Sequence, residues 1–346
     1  PIPRRQRQMC IRDSIIIGLQ YGDEGKGKVT NCMIRNNKIH NFTHCVRYNG
    51  GPNAGHTIYH NNKKLVTHQV PTGIIYGLKC VIGPNCALDI KKLQDEIDML
   101  KKHGIQNIEE NLKISFNTHI IQPKHINEDV STDKIGSTGC GMRPVYRDKY
   151  NRSGLRVDKD YNIGTKICGC EVVDSYIFLN QDNTKILFEG AQGFELDINW
   201  GKYPFVTSSQ CDTGMVVSCG YSFRKIKNVY GIAKIYNTYV GTMDYQPNDE
   251  KLIKLQELGE EFGSTTNRKR QCNWLNLDEL LRSIDINSVT DLIINKCDIL
   301  QELDFYKLYH NNEGVEFKTF EEMKKYIRVA VPNHIQLIFS SNRDSI

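Results

Sequence analysis

A glycine-rich segment near the N-terminus has the residue types of a phosphate-binding loop. Gly22-Asp-Glu-Gly-Lys-Gly-Lys28 follows the apolar run Ile15–Leu19 and precedes a segment that is compatible with a helix. Glycines let backbone N–H groups approach phosphate oxygens, and the helix N-terminus adds a partial positive charge. Lys26 would add a full positive charge. The segment therefore predicts a phosphate site, although a flexible glycine turn would also fit these residues.

The segment is not a Walker A loop, in which four residues separate a glycine from Gly-Lys-Ser/Thr. The spacing from Gly18 to Gly25 is two residues longer, and Gly27 stands where the hydroxyl residue should be. Asp23 and Glu24 are also unusual here, because carboxylates repel phosphate unless they hold a metal ion or take part in the chemistry. These two residues therefore point to a metal ion or to catalysis.

Five further clusters are rich in glycine and small polar residues. They are Arg47–Thr57, Gly136–Gly141, Glu189–Gly193, Tyr203–Ser209 and Gly263–Arg270. Any one of them could be a turn, but loops that follow parallel strands carry ligand sites in α/β proteins. Six such clusters in one chain are hard to explain as turns, so we expect them to form one site.

The sequence Asn295-Lys-Cys-Asp298 follows the apolar run Leu292–Ile294 and is suited to reading guanine. A carboxylate at the end of a strand can accept hydrogen bonds from both N1–H and the exocyclic amine of guanine, whereas adenine presents no such pair of donors. The pattern is weak by itself. Together with a phosphate loop it indicates that the nucleotide is GTP.

Short runs rich in isoleucine and valine predict the strands. They are Ile15–Leu19, Phe42–Tyr48, Val81–Gly83, Ile186–Phe188, Val229–Ile235, Leu292–Ile294 and Ile335–Phe339. Several of these runs are continuous rather than alternating, as strands buried on both faces require. Helical patterns cover Asp89–His103, which is followed by Gly104, and Phe317–Arg328. We therefore predict an α/β fold: a single large domain with a mainly parallel central sheet and a P-loop-like GTP-binding core.

Length and charge limit the remaining possibilities. A chain of 346 residues can bury a sizeable core, and its net charge of +5 is mild and scattered, which suits anionic small substrates better than a nucleic acid. We expect no transmembrane helix, since no window approaches 18 consecutive apolar residues. The twelve cysteines form no Cys-x-x-Cys pair, which favours reduced thiols in the cytoplasm. Residues 1–10 are expected to be a disordered extension, and residues 11–346 the catalytic domain.

The six glycine-rich clusters, in this order, resemble those of the adenylosuccinate synthetase family. The match is close for Gln20–Lys28, Gly50–Thr57, Glu189–Gly193, Tyr203–Ser209 and Gly263–Arg270. It extends from about Ile11 to the C-terminus, and the chain is similar in size to the compact archaeal and phage-type members. The resemblance implies a cytoplasmic homodimeric ligase of purine (AMP) biosynthesis. In that reaction, which depends on Mg²⁺, GTP phosphorylates O6 of IMP and the amine of L-aspartate then displaces the phosphate to give adenylosuccinate.

The resemblance also implies roles for individual residues. Asp23 would be the general base at N1 of IMP, His56 the acid that stabilises the leaving β-phosphate, and Gln192 a further catalytic residue. GTP would contact Gly22, Glu24, Gly25, Lys26, Gly27, Lys28, Gly55, His56, Thr57, Lys296 and Asp298. IMP would contact Asp23, Asn53, Thr138, Arg152, Gln192, Thr207 and Arg268, with Arg152 supplied by the partner subunit. Aspartate would contact Thr265, Thr266, Arg268 and Arg270. Mg²⁺ would be held by Asp23 and the Gly55 carbonyl.

The chain departs from the family pattern at several positions, and two other functions stay open. Cys140 and Tyr239 each stand where arginine is common, and Ser340-Ser341 replaces part of a Gly-Pro-containing guanine loop.

One alternative function is that of a phage-type 2-aminoadenylosuccinate synthetase, which acts on dGMP and in which a small residue typically replaces the catalytic aspartate. The other is a GTP-binding regulator without catalysis, which could dispense with His56. The presence of Asp23 and His56 favours IMP and catalysis.

Overall fold

The central strand of the fold is formed by the first apolar run. In a computed structural model that describes residues 13–133, 135–263, 268–342 and 346, every residue of the strand Asp13–Gly18 is buried. Its side chains alternate between two cores: Ile15 and Ile17 belong to one, and Ile16 to the other. This period of two is the geometry of a β-strand, and a core on each side explains the continuous apolar run. The predicted extension, residues 1–10, lies outside the described residues.

The described residues form eighteen strands, which are numbered in chain order. They are β1 (Asp13–Gly18), β2 (His44–Arg47), β3 (His56–His60), β4 (Lys63–Thr67), β5 (Lys79–Ile82), β6 (Ala87–Leu88), β7 (Leu112–Ser115), β8 (His119–Ile120), β9 (Lys166–Ile167), β10 (Cys170–Val173), β11 (Ile186–Glu189), β12 (Ile226–Lys234), β13 (Tyr236–Tyr239), β14 (Gln271–Asn276), β15 (Asp291–Asn295), β16 (Tyr306–His310), β17 (Glu313–Phe317) and β18 (Gln336–Phe339).

The same residues form twelve α-helices. They are α1 (Lys26–Arg35), α2 (Asn37–His40), α3 (Ile90–Lys102), α4 (Ile108–Asn111), α5 (Pro123–Ser131), α6 (Met142–Tyr150), α7 (Val157–Asp160), α8 (Ser175–Leu179), α9 (Glu250–Leu258), α10 (Leu277–Ile286), α11 (Cys297–Leu303) and α12 (Phe320–Ala330). No helix in the described ranges is long and apolar enough to cross a bilayer.

The predicted runs form the middle and one edge of a ten-stranded sheet. Its order is β18-β15-β12-β1-β11-β2-β5-β7-β10-β9, and the first seven of these strands correspond to the seven predicted runs. All neighbours are parallel except β9 and β10. The prediction of an α/β fold with a mainly parallel central sheet is confirmed.

The two predicted helices are α3 and α12, and side-chain caps define where they begin. Asp89 accepts a hydrogen bond from the backbone N–H of Lys92 at 3.0 Å, so α3 begins at Ile90 and ends before Gly104, whose φ is +85°. The prediction began the second helix three residues too early. Thr319 caps α12, and the segment that ends at Phe317 is instead strand β17.

Smaller sheets flank the central one. A four-stranded sheet has the order β13-β14-β16-β17, and β3 pairs with β4 as an antiparallel hairpin. Strand β13 follows β12 after a single residue, Ile235. The small sheet is therefore joined to the carboxyl end of a central strand, which is the edge where α/β proteins bind ligands.

Candidate active site

The predicted phosphate-binding loop is folded around the carboxylate of Glu24. One carboxylate oxygen accepts hydrogen bonds from the backbone N–H groups of Gly22 at 2.9 Å and Gln20 at 3.2 Å, and the other pairs with Lys26 at 2.6 Å. Glu24 is 1 % exposed. Its unusual place in a phosphate loop is thus explained: it holds the loop closed from inside and positions Lys26 without facing the solvent.

The loop requires left-handed backbone on both sides of Glu24. Gly22 and Gly25 have φ of +87° and +96°, and Asp23 itself has φ of +58°. The left-handed conformation costs a non-glycine residue about 1–2 kcal/mol. Contacts around Asp23 must therefore offset this strain in the folded protein. The next glycine has a different role, because a Cβ at Gly27 would lie 3.1 Å from the Cα of His56. Gly27 therefore allows α1 to pack against the start of β3.

His56 lies in a buried cluster with Arg47 and Glu189. The imidazole Nδ1 donates a hydrogen bond to the Glu189 carboxylate, and Nη1 of Arg47 lies 3.0 Å from Nδ1 and 3.1 Å from Nε2. Glu189 also accepts hydrogen bonds from Thr72, at 2.6 Å from the hydroxyl and 2.8 Å from the backbone N–H. A carboxylate only accepts hydrogen bonds, so Glu189 fixes the ring orientation and places the proton on Nδ1.

Burial and the neighbouring arginine set the charge states in this cluster. Burial first, and then the positive charge of Arg47, lower the pKa of His56 to about 4, although Glu189 opposes this shift. Burial alone would raise the pKa of Glu189, but Arg47 and His56, together with the hydrogen bond from Thr72, hold it well below its usual range. Near neutral pH, Glu189 is therefore ionised and paired with Arg47, while His56 is neutral.

Acid should destabilise the protein through His56. Its folded pKa is about 4 and its ordinary value is 6.5, so the unfolded chain binds more protons between these values. The free energy of unfolding is then highest above about pH 6.5 and falls by roughly 2–3 kcal/mol for this group as the pH drops towards 4. Urea unfolding of the wild type and of His56→Gln at several pH values measures the loss. An equal pH dependence in both proteins would contradict the assignment.

Asp23 is held by Arg270 at the entrance to the loop. Nε of Arg270 donates to Oδ2 of Asp23 at 2.7 Å, and Nη1 of the same guanidinium pairs with Glu261. Asp23 is partly exposed, whereas Glu261 is fully buried. Arg270 thus lies between a buried carboxylate and the carboxylate that was predicted to do chemistry.

The predicted guanine-reading sequence is bonded directly to the phosphate loop. The side-chain amide of Asn295 donates to the Glu24 carbonyl at 2.8 Å, and its oxygen accepts from Lys28 at 2.9 Å. Lys28 also donates to the hydroxyl of Ser340 at 2.7 Å, so this departure from the family pattern belongs to the same cluster. Sequence reasoning missed Asn295, although its place in Asn-Lys-x-Asp, beside the two predicted residues, was the available signal.

The two predicted guanine contacts differ in their surroundings. Lys296 donates to the backbone carbonyl of Gly259 at 3.0 Å and has φ of +64° at the start of α11. Asp298 is exposed in the first turn of α11, which leaves its carboxylate accessible to a base.

Two predicted nucleotide contacts have buried oxygens that lack a partner. Oδ1 of Asn53 and Oε1 of Gln192 are shielded from solvent and form no hydrogen bond within the described residues. A Cβ added to Gly50 would lie 2.9 Å from that oxygen of Gln192, so the loops after β2 and β11 contact each other. Buried polar atoms are normally hydrogen-bonded, and those that are not are typical of places where a ligand binds.

The remaining predicted residues occupy the loops around this edge. Arg268 donates to the Gly136 carbonyl at 2.7 Å, which brings the clusters Gly136–Gly141 and Gly263–Arg270 together. Thr138 is exposed, and Thr207 is partly buried. Gly55 precedes β3, and Thr57 lies within it. Thr265 and Thr266 are outside the described residues.

Arg152 differs from the other candidates in its exposure. It follows α6 with φ of +61°, and its side chain is exposed to solvent in the single chain. Within the described residues, no side-chain hydrogen bond or ion pair connects it to the cluster around Asp23.

The fold and these clusters together define a nucleotide-dependent α/β enzyme whose site lies at the carboxyl edge of a parallel sheet. The family model for adenylosuccinate synthetase matches residues 15–166 and 161–332. The chain is 36% identical to the adenylosuccinate synthetase of Borrelia turicatae, over 85% of this chain and 78% of that one. It is 37% identical to that of Shewanella loihica, over 86% and 79%. The chain belongs to the adenylosuccinate synthetase family, whose members are GTP-dependent ligases.

Solved structures give the same relationship. The fully ligated adenylosuccinate synthetase from Plasmodium falciparum superposes with a TM-score of 0.82 at 27% identity, and the match covers 96% of this chain and 98% of that one. A cyanophage succinoaminodeoxyadenylate synthetase bound to dGMP and dATP has a TM-score of 0.74 at 19% identity, over 96% and 93%. At that identity the second likeness establishes the fold alone.

Proposed function

We propose that this protein joins L-aspartate to IMP through 6-phosphoryl-IMP, with GTP as the phosphate donor, and releases adenylosuccinate, GDP and phosphate. The observation that carries the proposal is the carboxylate of Asp23. It is held in left-handed backbone between the phosphate loop and Arg270, 2.7 Å from the guanidinium. A carboxylate fixed beside a phosphate loop can take a proton while the neighbouring oxygen attacks phosphorus.

The chemistry proceeds in two displacements. Asp23 takes the N1 proton of IMP, so that electron density moves to O6; O6 attacks the γ-phosphorus, and the bond to the β-phosphate oxygen breaks. His56 would stabilise the charge that develops on that leaving oxygen once the negative GTP phosphates favour a second ring proton, at Nε2. The amine of aspartate then attacks C6, phosphate leaves with the O6 oxygen, and the amine loses a proton. Phosphorylation is needed because an amide-like oxygen is otherwise a poor leaving group.

Magnesium fits the residues at this site. One oxygen of Asp23 accepts from Arg270, and the other forms no hydrogen bond within the part of the chain that the structure describes. In that same part no group of three or more His, Cys, Asp and Glu side chains could hold a metal ion. Mg²⁺ is commonly held by one or two carboxylates together with substrate phosphates, and the Gly55 carbonyl would add another oxygen. The ion would neutralise charge on the transferred phosphoryl group.

The remaining contacts are proposed from the resemblance to the family. The orphaned oxygens of Asn53 and Gln192 would face donors on IMP, and Thr138, Thr207 and Arg268 would complete its site. Lys26 and the backbone N–H groups at the start of α1 would bind the GTP phosphates, and Asp298 would accept hydrogen bonds from guanine. Aspartate would bind near Thr265, Thr266, Arg268 and Arg270. The described cysteines are free, which supports a place in the reducing cytoplasm.

A product assay tests this function. The protein is incubated with Mg²⁺, aspartate and GTP, and with IMP or dGMP in parallel reactions. Adenylosuccinate formed from IMP alone is the expected result. Turnover of dGMP alone would show that the substrate is not IMP but dGMP, the nucleotide bound in the cyanophage enzyme of the same fold. GTP binding without turnover of either nucleotide would favour the regulator and refute the proposal.

The proposed enzyme is a homodimer in which Arg152 reaches the IMP phosphate of the partner subunit. Arg152→Ala should weaken IMP binding about 10- to 100-fold, because a charge-assisted contact to phosphate is lost. Mixing this variant with inactive Asp23→Asn protein should restore part of the activity, since one mixed site then has both residues intact. Arg147→Ala, on the same helix end and also exposed, is the matched control and should leave the KM for IMP unchanged. No rescue in the mixture would refute sharing.

A further inference from the structure

A buried pair of opposite charges lies behind Arg270. Lys234 is 2 % exposed and Glu261 is 0 % exposed, and Nζ of Lys234 lies 3.0 Å from Oε2 of Glu261. The lysine also donates to the hydroxyl of Thr238 at 2.8 Å, and the Tyr236 hydroxyl donates to the other oxygen of Glu261 at 2.6 Å. Both ends of the pair are thus hydrogen-bonded, as buried charges require.

This pair extends to the proposed catalytic base through Arg270. Glu261 accepts from Nη1 of Arg270 with the same oxygen that pairs with Lys234, and Nε of Arg270 binds Asp23 at 2.7 Å. Cations and anions therefore alternate in the order Lys234, Glu261, Arg270, Asp23. The first member lies at the end of central strand β12, and the last lies in the loop after neighbouring strand β1.

The same contacts close the base of the loop Gly263–Arg270. The backbone N–H of Arg270 donates to the Glu261 carbonyl at 2.9 Å, and that of Gly263 donates to the Arg268 carbonyl at 2.8 Å. Glu261 thus holds Arg270 through both its backbone and its side chain. An arginine side chain has several freely rotating bonds, so a second fixed contact is what determines where its remaining nitrogens point.

We propose that Glu261, with Lys234 behind it, is a positioning residue for Asp23. Glu261 fixes the guanidinium of Arg270, and the guanidinium fixes one carboxylate oxygen of Asp23 so that the other is directed towards the reacting groups. This inference rests on the proposed function of Asp23. It explains why a left-handed aspartate is held in place and why a buried charge pair is retained, although apolar residues in place of such a pair are often as stabilising.

Two variants separate positioning from stability. Glu261→Gln keeps the shape but leaves the buried Lys234 without its charge partner, so it should lower both the melting temperature and kcat. The double variant Lys234→Met/Glu261→Met removes both charges and the acceptor for Arg270, and it should recover most of the melting temperature. Its kcat should stay about 10- to 100-fold below the wild type, the scale expected for a misplaced catalytic group, while the KM for GTP changes less than about threefold. Recovery of kcat together with stability would overturn the proposal.

Glu316→Gln is the matched control. Glu316 pairs with Lys307 at 3.3 Å on the small sheet but is exposed, so its loss should change neither kcat nor the melting temperature appreciably.

Hydrogen exchange provides a readout that does not need turnover. In the double variant, backbone amides of residues 19–25 should exchange about tenfold faster than in the wild type, while those of α3 stay unchanged. If the wild type turns over neither IMP nor dGMP, the proposed function is refuted. Faster exchange in the double variant would even then uphold the positioning contact. Unchanged exchange with unchanged kcat in an active enzyme would refute the positioning role.

Discussion

Asp23→Asn should lower kcat by about 10²- to 10⁴-fold, the range that a positioned general base contributes, and leave a folded protein. The amide has the shape of the carboxylate and can still accept a hydrogen bond from Arg270, but it cannot take the N1 proton. Asparagine is preferable to alanine because Asp23 has φ of +58°, a conformation that asparagine tolerates and alanine does not. The effect is therefore chemical rather than structural.

Steady-state kinetics with IMP, together with thermal unfolding, measure this prediction. Asp304→Asn is the matched control, since Asp304 also has positive φ, at +53°, but ends α11 away from the phosphate loop. The control should keep wild-type kcat. A kcat for Asp23→Asn within about threefold of the wild type would show that Asp23 is not the base, because the loss of a general base has a much larger effect.

Glu189→Gln should cost about 3–5 kcal/mol of unfolding free energy, the usual loss when one partner of a buried ion pair is removed. Arg47 is 1 % exposed and lies 3.6 Å from the Glu189 carboxylate, so the substitution leaves a buried guanidinium without its counter-charge. The free energy of unfolding of a typical domain is only about 5–15 kcal/mol in total, so this loss is a large part of it. The orientation of His56 should be lost as well, and kcat should fall with it.

Urea unfolding near neutral pH measures the effect. Glu171→Gln on β10 is the control, because Glu171 also pairs with a cation on a neighbouring strand of the same sheet, Lys113, but is only partly buried. The Glu171→Gln variant should lose less than about 1 kcal/mol of unfolding free energy. Equal losses in the two variants would show that the Arg47–Glu189 pair is not a buried charge pair in solution.

The central sheet could be predicted because its strands are buried on both faces. Runs such as Ile186–Phe188 and Leu292–Ile294 are continuous in apolar residues, a pattern that few surface segments share. Strand β17 could not be predicted in the same way. Its residues Glu313–Phe317 are half-buried or exposed, and their packing depends on partners elsewhere in the chain.

The candidate site was predictable where its residues form local motifs. Glycine spacing indicated the loop around Asp23, and the resemblance to the family added His56 and Gln192. The charge pairs behind them were not predictable. Arg47 meets Glu189 because β2 and β11 are neighbours in the sheet, and Lys234 at the end of β12 meets Glu261 in the segment that follows α9. Charged residues are ordinarily expected at the surface, so nothing local in the sequence indicates that these four are buried.

The position of β1 has a consequence for synthesis on the ribosome. Its Ser14 pairs with Leu187 on one side and with Asn228 on the other, so the first strand of the described residues is completed by strands made much later. Until residues up to about Lys234 have emerged, a run of isoleucines has both hydrogen-bonding edges open. Pairings so distant along the chain form slowly, and exposed apolar edges aggregate. Nascent chains of this protein should therefore depend on chaperones until translation has passed β12.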